Sequence, residues 1–321
     1  MQKHKITLPQ NFIERLTQMF GGALVNQIQG TFKEKPTTFR INTIKNKREI
    51  ALDNLQSNGF KLKQIGWYKD AFILQNKSLR ELSETDLYKN GAIYVQSLAS
   101  MVPPLVLDPK PGDKVLDLTA APGSKTSQLA ALMNKTGELV ANDNNEIRYQ
   151  KLRHNMDLLG VSAEKDNWKM KLENKLGTAL CKEYLEYFDK ILLDVPCSAE
   201  ARFVLDDPRT FSYWNERDIK EIVFRQRQLL FAAWRALKPG GILVYSTCTF
   251  APEENEMQIV KLKEEMGDKA EIIKIDLDLK RLPIAGSWKD KKFSPEVKNC
   301  LRIMPSNEIE GFFVAKIKKF A

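Results

Sequence analysis

The stretch Asp117-Leu118-Thr119-Ala120-Ala121-Pro122-Gly123-Ser124-Lys125-Thr126 lies between a short apolar run and a segment with helical character. Its small residues let the backbone approach a ligand closely, and the start of the following helix offers free N–H groups. The stretch therefore predicts a nucleotide-binding turn. It matches neither Gly-x-Gly-x-x-Gly nor Gly-x-x-x-x-Gly-Lys-Thr. Because the dinucleotide and triphosphate fingerprints are both absent, a different adenosine-bearing cofactor is indicated.

The chain alternates short apolar runs with helical segments from about residue 113 onward. This alternation is typical of a doubly wound, mostly parallel α/β sheet. Helical periodicity over 219–237 predicts a crossover helix, and a second helix is predicted at 144–159. The predicted strands cover residues 114–118, 138–142, 190–194, 241–246 and 311–317.

Two cysteine motifs, Asp194-Val195-Pro196-Cys197 and Ser246-Thr247-Cys248, each follow an apolar strand. Ligands of doubly wound sheets bind outside the carboxyl ends of the strands, so we expect both thiols at one crevice. A buried structural thiol is the alternative for each cysteine taken alone. The two motifs together favour a catalytic pair, with Cys181 and Cys300 as bystanders.

Asp143 follows the second predicted strand, where a carboxylate can accept hydrogen bonds from ribose hydroxyls. It is equally well suited to cap the helix that follows. Both interpretations stay open at this point.

The chain of 321 residues is long for one domain, and we expect two. Four prolines and one glycine at 101–112 predict a linker between them. The region before it is predicted as mixed α+β, with a helix at 11–20 and a strand at 38–42. The net charge is +9, of which residues 1–100 carry +7. This excess indicates a polyanionic partner such as nucleic acid, although a solvated lysine-rich surface would have the same composition.

The composition also excludes several classes of protein. No apolar run reaches the length of a membrane span, and the first residues lack a signal-peptide core, so we expect a cytoplasmic protein. Four cysteines without a Cys-x-x-Cys pair and two histidines argue against a metal site or a disulfide framework. We expect no metal, no membrane contact and a monomer.

Several motifs accompany the turn at 117–126. They are Tyr94-Val95-Gln96-Ser97-Leu98-Ala99-Ser100, Arg225-Gln226, Pro252-Glu253-Glu254-Asn255-Glu256 and Gly311-Phe312-Phe313-Val314-Ala315-Lys316. With the two cysteine motifs and Pro36-Thr37-Thr38-Phe39-Arg40-Ile41-Asn42-Thr43, the chain resembles RNA cytosine-C5 methyltransferases of the NOL1/NOP2/Sun family. The resemblance implies a class I S-adenosylmethionine-dependent methyltransferase domain at 101–321, preceded by a small basic RNA-binding α+β domain at 1–100. The implied substrate is rRNA or tRNA.

The chemistry of this family explains the two cysteines. C5 of cytosine is too weak a nucleophile to take the methyl group directly, so a thiolate first adds to C6. A second group then assists proton transfer and release. The resemblance makes Cys248 the nucleophile and Cys197 the releasing group. The residues alone leave this order open, because DNA cytosine-C5 methyltransferases attack with the cysteine of a Pro-Cys pair.

The resemblance also implies roles for neighbouring residues. Asp194 would contact both the cytosine ring edge and the cofactor, and Lys125 would orient the base or the cofactor, unless it is an ordinary helix lysine. Asp166 would end the third strand as an acid near the adenine. The implied cofactor-binding residues are Thr119, Ala120, Ala121, Pro122, Gly123, Ser124, Lys125, Asp143, Asp166 and Asp194.

One motif departs from the family pattern. Ser198-Ala199-Glu200-Ala201 stands where the family usually has Ser-Gly-x-Gly, which predicts a stiffer and more acidic loop beside the base. The chain ends at Ala321 directly after the last predicted strand, so we expect target selection to depend on residues 1–100 and the cleft. The first candidates for phosphate contact are Arg40, Lys45, Lys47 and Arg48.

Three other functions remain as alternatives. An RNA base amino-group (N4/N6) methyltransferase would need an aromatic residue in an Asp/Asn-Pro-Pro-aromatic motif, and residues 194–197 offer none. A non-catalytic RNA-binding module would need neither the cysteine pair nor the cofactor turn. A nicotinamide dehydrogenase would carry the glycine fingerprint that is absent here.

Overall fold

The N-terminal region of the protein contains a four-stranded antiparallel sheet with strand order β2-β3-β1-β4. The computed structural model describes residues 7–321. Residues 1–6, where the sequence analysis looked for the start of a signal peptide, lie outside this range. The predicted helix at 11–20 and strand at 38–42 are present with nearly the expected bounds. The elements are α1 (Gln10–Phe20), α2 (Gly22–Gln29), β1 (Thr38–Ile41), α3 (Arg48–Ser57), β2 (Leu62–Ile65), β3 (Tyr68–Leu74), α4 (Leu79–Ser83), α5 (Asp86–Lys89) and β4 (Ile93–Val95).

A buried helix, α6 (Leu98–Leu107), follows β4 and leads into the second sheet. The prediction of a linker at 101–112 is therefore wrong, because Pro103 and Pro104 lie inside this helix. A proline in a helix interior costs about 3 kcal/mol or more. Nearly the whole helix is apolar and buried against the second sheet, and this packing outweighs the lost backbone hydrogen bonds. The division of the chain into two domains at residue 100 remains a prediction.

The second sheet has eight strands in the order β10-β14-β9-β8-β5-β6-β7, with β13 paired to β14. Strands β5 to β9 are parallel, and β14 runs antiparallel to β9. This confirms the predicted doubly wound, mostly parallel sheet. Its strands are β5 (Lys114–Asp117), β6 (Gly137–Asn142), β7 (Trp168–Glu173), β8 (Phe188–Asp194), β9 (Leu237–Thr247), β10 (Ala270–Ile273), β11 (Ser287–Trp288), β12 (Lys291–Lys292), β13 (Leu301–Ile303) and β14 (Phe312–Lys319), of which β11 and β12 form a separate ribbon.

Helices cover both faces of this sheet, and the order of the strands reverses beside β5. β6 and β8 flank β5, so the connections that follow β5 and β8 leave the sheet in opposite directions. A crevice therefore opens between the carboxyl ends of β5 and β8. None of the helices within residues 7–321 combines the length and the apolar character that a bilayer crossing needs. The remaining helices are α7 (Ser124–Leu132), α8 (Glu146–Leu158), α9 (Gly177–Glu183), α10 (Glu216–Ala236) and α11 (Glu256–Met266).

An aromatic cluster joins the first two helices to the loop that follows β8. Phe12 contacts Phe203 with 5.0 Å between ring centroids and Trp214 with 5.5 Å. Phe32 lies 6.2 Å from Phe250, which follows the second cysteine motif. Buried aromatic pairs contribute about 0.5–1.5 kcal/mol each beyond their buried area. The N-terminal helices therefore hold the loops of the cysteine crevice in place.

A buried ion pair fixes the chain just after Cys248. Arg302 and Glu256 are almost fully buried, and Arg302 Nε donates to Glu256 Oε1 at 2.6 Å. The same guanidinium donates from NH1 to the carbonyl oxygen of Phe250 at 2.9 Å. This contact ties β13 to the segment that carries the second thiol.

We expect Arg302→Leu to lower the free energy of unfolding by about 3–5 kcal/mol, because it leaves the Glu256 carboxylate buried without its cationic partner. Urea unfolding followed by circular dichroism measures this. The double variant Arg302→Leu with Glu256→Leu removes both charges and should lose much less stability. Equal losses in the single and double variants would contradict the ion pair's role.

Candidate active site

The two cysteine motifs meet at the carboxyl ends of neighbouring strands. Asp194 on β8 is paired in register with Ser246 on β9, and Val195 N donates to Ser246 O at 3.1 Å. This pairing brings Cys197 Sγ to 3.3 Å from Cys248 Sγ. Both residues are half-buried, whereas Cys181 and Cys300 are buried elsewhere in the core. The structure thus brings together the two thiols that the sequence singled out.

The two thiols differ in acidity. The hydrogen bond from Cys197 lowers the pKa of the Cys248 thiol, and the positive charge of Arg202 lowers it further. The pKa of Cys197 is raised well above its ordinary value by the same contact and by burial. Because a thiolate is the reactive form of cysteine, this arrangement favours Cys248 as the nucleophile.

Lys125 and Asp194 form an ion pair beside the thiols, with 2.7 Å between Nζ and Oδ2. Lys125 Nζ also donates to Ser100 Oγ at 2.7 Å, and Ser246 Oγ donates to Asp194 Oδ1 at 2.7 Å. Lys125 is buried, unlike an ordinary surface lysine in the first turn of a helix. These contacts fix the carboxylate at the crevice, where it is oriented for hydrogen bonding to a ligand.

The predicted nucleotide-binding turn joins β5 to α7. Ala120 N donates to Asn142 O at 2.7 Å, and Thr119 Oγ1 donates to Asp194 O at 2.8 Å, so the turn is tied to both flanking strands. Gly123 has φ 106°, and a Cβ there would lie 2.5 Å from Met156 Cε. Glycine is therefore required. No side chain caps α7, which leaves its first N–H groups directed at the crevice.

Asp143 stands at the carboxyl end of β6 and does not cap α8. The side chain of Asn145 is the cap, accepting from Arg148 N at 3.0 Å. Asp143 is buried, and its Oδ2 accepts from Ala121 N at 3.3 Å and pairs with Arg148 at 3.2 Å. The carboxylate thus borders the turn, as expected for a group that binds the sugar of a nucleoside.

The prediction for Asp166 is wrong. This exposed residue lies in the turn before β7 begins at Trp168, so it is at the amino end of the strand, on the opposite edge of the sheet. The carboxyl end of β7 is followed instead by Asn174, whose Nδ2 donates to Asp143 O at 2.7 Å. The charged, atypical sequence around 165–175 obscured where the strand ends.

One of the predicted phosphate contacts is also wrong. Arg40 is fully buried, and it donates to Gln96 Oε1 at 2.9 Å and to Ser127 on α7, so it joins the N-terminal sheet to the second sheet. Arg48 is half-buried, its Nε donates to Lys69 O at 3.0 Å and its guanidinium lies over the Phe72 ring, and its assignment as a phosphate contact stays a prediction. Lys45 and Lys47 are exposed and remain candidates.

Two buried glutamates that the sequence analysis did not assign to the site connect the loops after β8 and β9. Glu254 accepts from Ser198 N at 3.0 Å, and its Oε1 is hydrogen-bonded to Ser198 Oγ. Glu200 accepts from Thr249 Oγ1 at 2.8 Å and from Phe250 N at 3.0 Å. Glu200 therefore points into the interior, and the expectation of a more acidic loop beside the base is wrong.

The two glutamates belong to one chain of hydrogen bonds. Ser198 Oγ and Thr249 Oγ1 lie 2.7 Å apart and link Glu254 to Glu200. Two hydroxyl groups supply two protons for three such contacts, so the chain is complete only when one carboxyl group is protonated. Burial, together with the charge of Glu200, raises the pKa of Glu254 to about 7, which agrees with this count.

Arg202 is the other residue that the sequence analysis missed. It is exposed at the mouth of the crevice, and the negative charges of Cys248 and Glu310 raise its pKa. The motif around Cys197 indicated this loop but gave no sign that its arginine faces the thiols. Among residues 7–321, no group of three His, Cys, Asp or Glu side chains is arranged to hold a metal ion.

Comparisons with known proteins give one consistent result. The family model described as 16S rRNA methyltransferase RsmB/F matches residues 104–318, and the N-terminal domain of 16S rRNA methyltransferase RsmF matches residues 8–98. A tRNA (cytosine(49)-C(5))-methyltransferase of Pyrococcus abyssi is 37% identical over 90% of this chain and 89% of its own length. The crystal structure of a methyltransferase homologue from Pyrococcus horikoshii has a TM-score of 0.84 and 34% identity, covering 98% of this chain and 96% of that one.

Longer relatives also match. Ribosomal RNA small subunit methyltransferase F of Vibrio campbellii is 34% identical over 98% of this chain. The chain spans 64% of the length of that enzyme, less than two thirds.

We expect Cys197→Ala to raise the pH at which Cys248 becomes half-maximally reactive toward iodoacetamide, because the variant removes the hydrogen bond that most lowers the pKa of Cys248. Mass spectrometry of the Cys248 peptide across a pH series measures the midpoint. Cys300→Ala, which changes a buried thiol away from the crevice, is the control and should leave the midpoint unchanged. An unmoved midpoint in Cys197→Ala would show that the sulfur contact does not tune Cys248.

Proposed function

Because the chain belongs to the RsmB/F family of S-adenosylmethionine-dependent RNA methyltransferases, we propose that it methylates C5 of a cytosine in RNA through a covalent cysteine adduct. The observation that carries this proposal is the contact of Cys197 and Cys248 at 3.3 Å beside the Lys125–Asp194 ion pair. Methyl transfer to an exocyclic nitrogen needs no thiol, whereas methylation at C5 needs a nucleophile and a release step.

Cys248 acts as the nucleophile in this proposal. Its thiolate bonds to C6 of cytosine, and the electrons of the C5–C6 double bond move into the ring and make C5 nucleophilic. S-adenosylmethionine supplies the methyl group as a sulfonium electrophile. Arg202 and Lys125 both lower the pKa of Cys248 through their positive charges, and so raise the population of the attacking thiolate at neutral pH.

Cys197 assists release in this proposal. After methyl transfer, the proton on C5 leaves, the C5–C6 double bond re-forms, and the bond from C6 to Cys248 breaks. The hydrogen bond with Cys248 is the main cause of the raised pKa of Cys197. Once Cys248 is bonded to carbon, this cause is removed, and Cys197 loses its own proton to water more readily. The Cys197 thiolate then takes the proton from C5, the C5–H electrons re-form the C5–C6 double bond, and Cys248 leaves as a thiolate with the electrons of the C6–S bond.

Asp194 holds the base edge in this proposal. Its carboxylate is oriented by Lys125 at 2.7 Å and Ser246 at 2.7 Å. A carboxyl group in this place accepts from the exocyclic amino group of cytosine and shares a proton with ring N3. Charge drawn to N3 makes C6 a better electrophile for the thiolate.

The residues at the turn fit S-adenosylmethionine. Gly123, with φ 106°, lets the chain turn sharply into α7, and the first N–H groups of α7 are suited to a carboxylate. Asp117 Oδ1 is buried with no hydrogen-bond donor among residues 7–321, and an ammonium group would satisfy it. Asp143 would accept from the ribose hydroxyls.

The N-terminal region and the cleft would hold the RNA, with exposed Lys45 and Lys47 as phosphate contacts. The relatives named above act on tRNA and on rRNA, so we propose one of these as the substrate, methylated in the cytoplasm by a monomer.

The first test is methyl transfer from labelled S-adenosylmethionine to total RNA, with the modified nucleoside identified by mass spectrometry. We expect 5-methylcytidine with the wild type and background transfer with Cys248→Ala. Cys197→Ala should slow turnover by about 10²–10⁴-fold, because it lacks the group that assists release, and should accumulate a protein–RNA adduct on denaturing gels.

Two controls make this test specific. Cys181→Ala removes a buried thiol remote from the crevice and should retain activity and form no adduct. An adduct in Cys248→Ala instead would exchange the two roles, and label on an exocyclic nitrogen would identify an amino-group methyltransferase.

A second prediction concerns cofactor affinity. We expect Asp143→Ala to weaken binding of S-adenosylmethionine by about 10-fold or more, because a hydrogen bond to a charged group contributes about 1.5–3 kcal/mol. Isothermal titration calorimetry measures the affinity. Asp166→Ala, which changes an exposed acid at the opposite edge of the sheet, should bind as the wild type does. Equal affinities in all three proteins would remove Asp143 from the cofactor site.

A further inference from the structure

A cavity of about 490 Å³ lies between the N-terminal sheet and the loop that follows Cys197. Its volume is within the range of small-molecule sites, about 300–1,000 Å³. Its lining residues include Tyr94, Ser100, Ser124, Arg202 and Glu310. Ser100 and Ser124 place it directly beside Lys125, since Ser100 accepts from Lys125 at 2.7 Å.

The cavity adjoins the reaction centre without containing it. Cys197, Cys248 and Asp194 are not among its lining residues. A nucleotide that occupies the cavity is therefore not the nucleotide that reacts. RNA bound with its target cytosine at the thiols would place a neighbouring nucleotide here.

Glu310 lines this cavity, and its negative charge acts on Arg202 and Lys35. Its Oε2 is buried, and no hydrogen-bond donor among residues 7–321 pairs with it. An ionised carboxylate accepts hydrogen bonds and donates none, and leaving a buried acceptor unpaired costs free energy. The group is thus suited to a ligand that brings N–H donors.

The remaining lining residues suit a nucleotide. Tyr94 is half-exposed, and the Arg40 guanidinium lies 5.5 Å from its ring centroid, which holds the ring in place for stacking on a base. Arg202 and Lys33 are exposed cations at the edge of the cavity, where a phosphodiester would pass. The cavity thus offers an aromatic ring to a base, cations to a phosphodiester and a carboxylate to the N–H donors of the base.

We propose that this cavity binds the nucleotide adjacent to the target cytosine and that Glu310 selects guanine there. Guanine presents N1–H and its 2-amino group side by side, which matches the two oxygens of a carboxylate. Adenine and cytosine present one amino group next to an acceptor, and uracil presents one N–H between two carbonyl groups. This specificity rests on the proposed methylation of RNA.

The test uses short RNAs built around a cytosine that the wild type methylates in total RNA. The nucleotide on each side of that cytosine is varied among guanosine, inosine, adenosine and uridine, and kcat/KM for 5-methylcytidine formation is measured. We expect guanosine to be preferred over uridine at one of the two positions by about 10–100-fold. Inosine, which keeps N1–H and lacks the 2-amino group, should lie between them.

Glu310→Gln is the decisive variant. Glutamine both donates and accepts, so it pairs with uracil as well, and the guanosine-to-uridine ratio should fall toward one. Glu34→Gln removes the same charge from an exposed residue at the same cavity and should keep the wild-type ratio. Calorimetric titration with S-adenosylmethionine shows that both variants are folded.

A wild type that is indifferent to both neighbours, or a Glu310→Gln variant that keeps the wild-type ratio, would overturn the assignment of Glu310. These outcomes leave 5-methylcytidine as the product and the proposed function intact. Label on a nitrogen, or transfer that needs neither cysteine, would instead overturn the proposed function and with it this specificity.

Discussion

The chain of hydrogen bonds from Glu254 through Ser198 and Thr249 to Glu200 is the constraint on which the active site depends. It crosses between the loops after β8 and β9, and each loop carries one of the two thiols. Parallel strands bring their ends side by side, but nothing in the sheet itself holds the following loops together. Ala201 N donates to Cys248 O at 3.1 Å and adds a direct backbone link. The sulfur contact is therefore a consequence of buried polar contacts behind it, and a neutral carboxyl group at one end of the chain is part of that arrangement.

Buried polar contacts also connect the two sheets. Arg40 reaches from the N-terminal sheet to Gln96 and to Ser127 on α7, the helix that carries Lys125. Gln96 Nε2 in turn donates to Gln128 Oε1 at 3.0 Å. These contacts set the position of Tyr94 and the cavity wall relative to Lys125. The region that we expect to bind RNA therefore also positions residues of the site. Some of the basic residues in 1–100 are buried and do not face a ligand.

Local patterns explain which features the sequence predicted. The turn at 117–126, the parallel strands and the two cysteine motifs depend on residues close together in the chain, and each has a strong local signature. The linker at 101–112 was wrong because the pattern of prolines says nothing about how much apolar surface tertiary packing will bury around them. Asp166 was misplaced because the family's acidic motif is absent and the end of β7 has no apolar signature. Glu200 and Glu254 were not recognised as site residues, since their contacts join residues about 50 positions apart.

The same distinction applies to charge. Lys125, Arg40 and Arg302 are all buried, and each is fixed by named acceptors, whereas exposed lysines such as Lys63 form their ion pairs in contact with water. A buried cation must be paired or hydrogen-bonded, because its transfer from water costs several kcal/mol otherwise. The net charge of +9 therefore includes both buried cations that stabilise the fold and exposed cations that can meet a ligand, and composition does not distinguish the two. The cations that remain available to a ligand are those at the surface, and Arg202, which is exposed and whose pKa is raised by the negative charges of Cys248 and Glu310, is one of them.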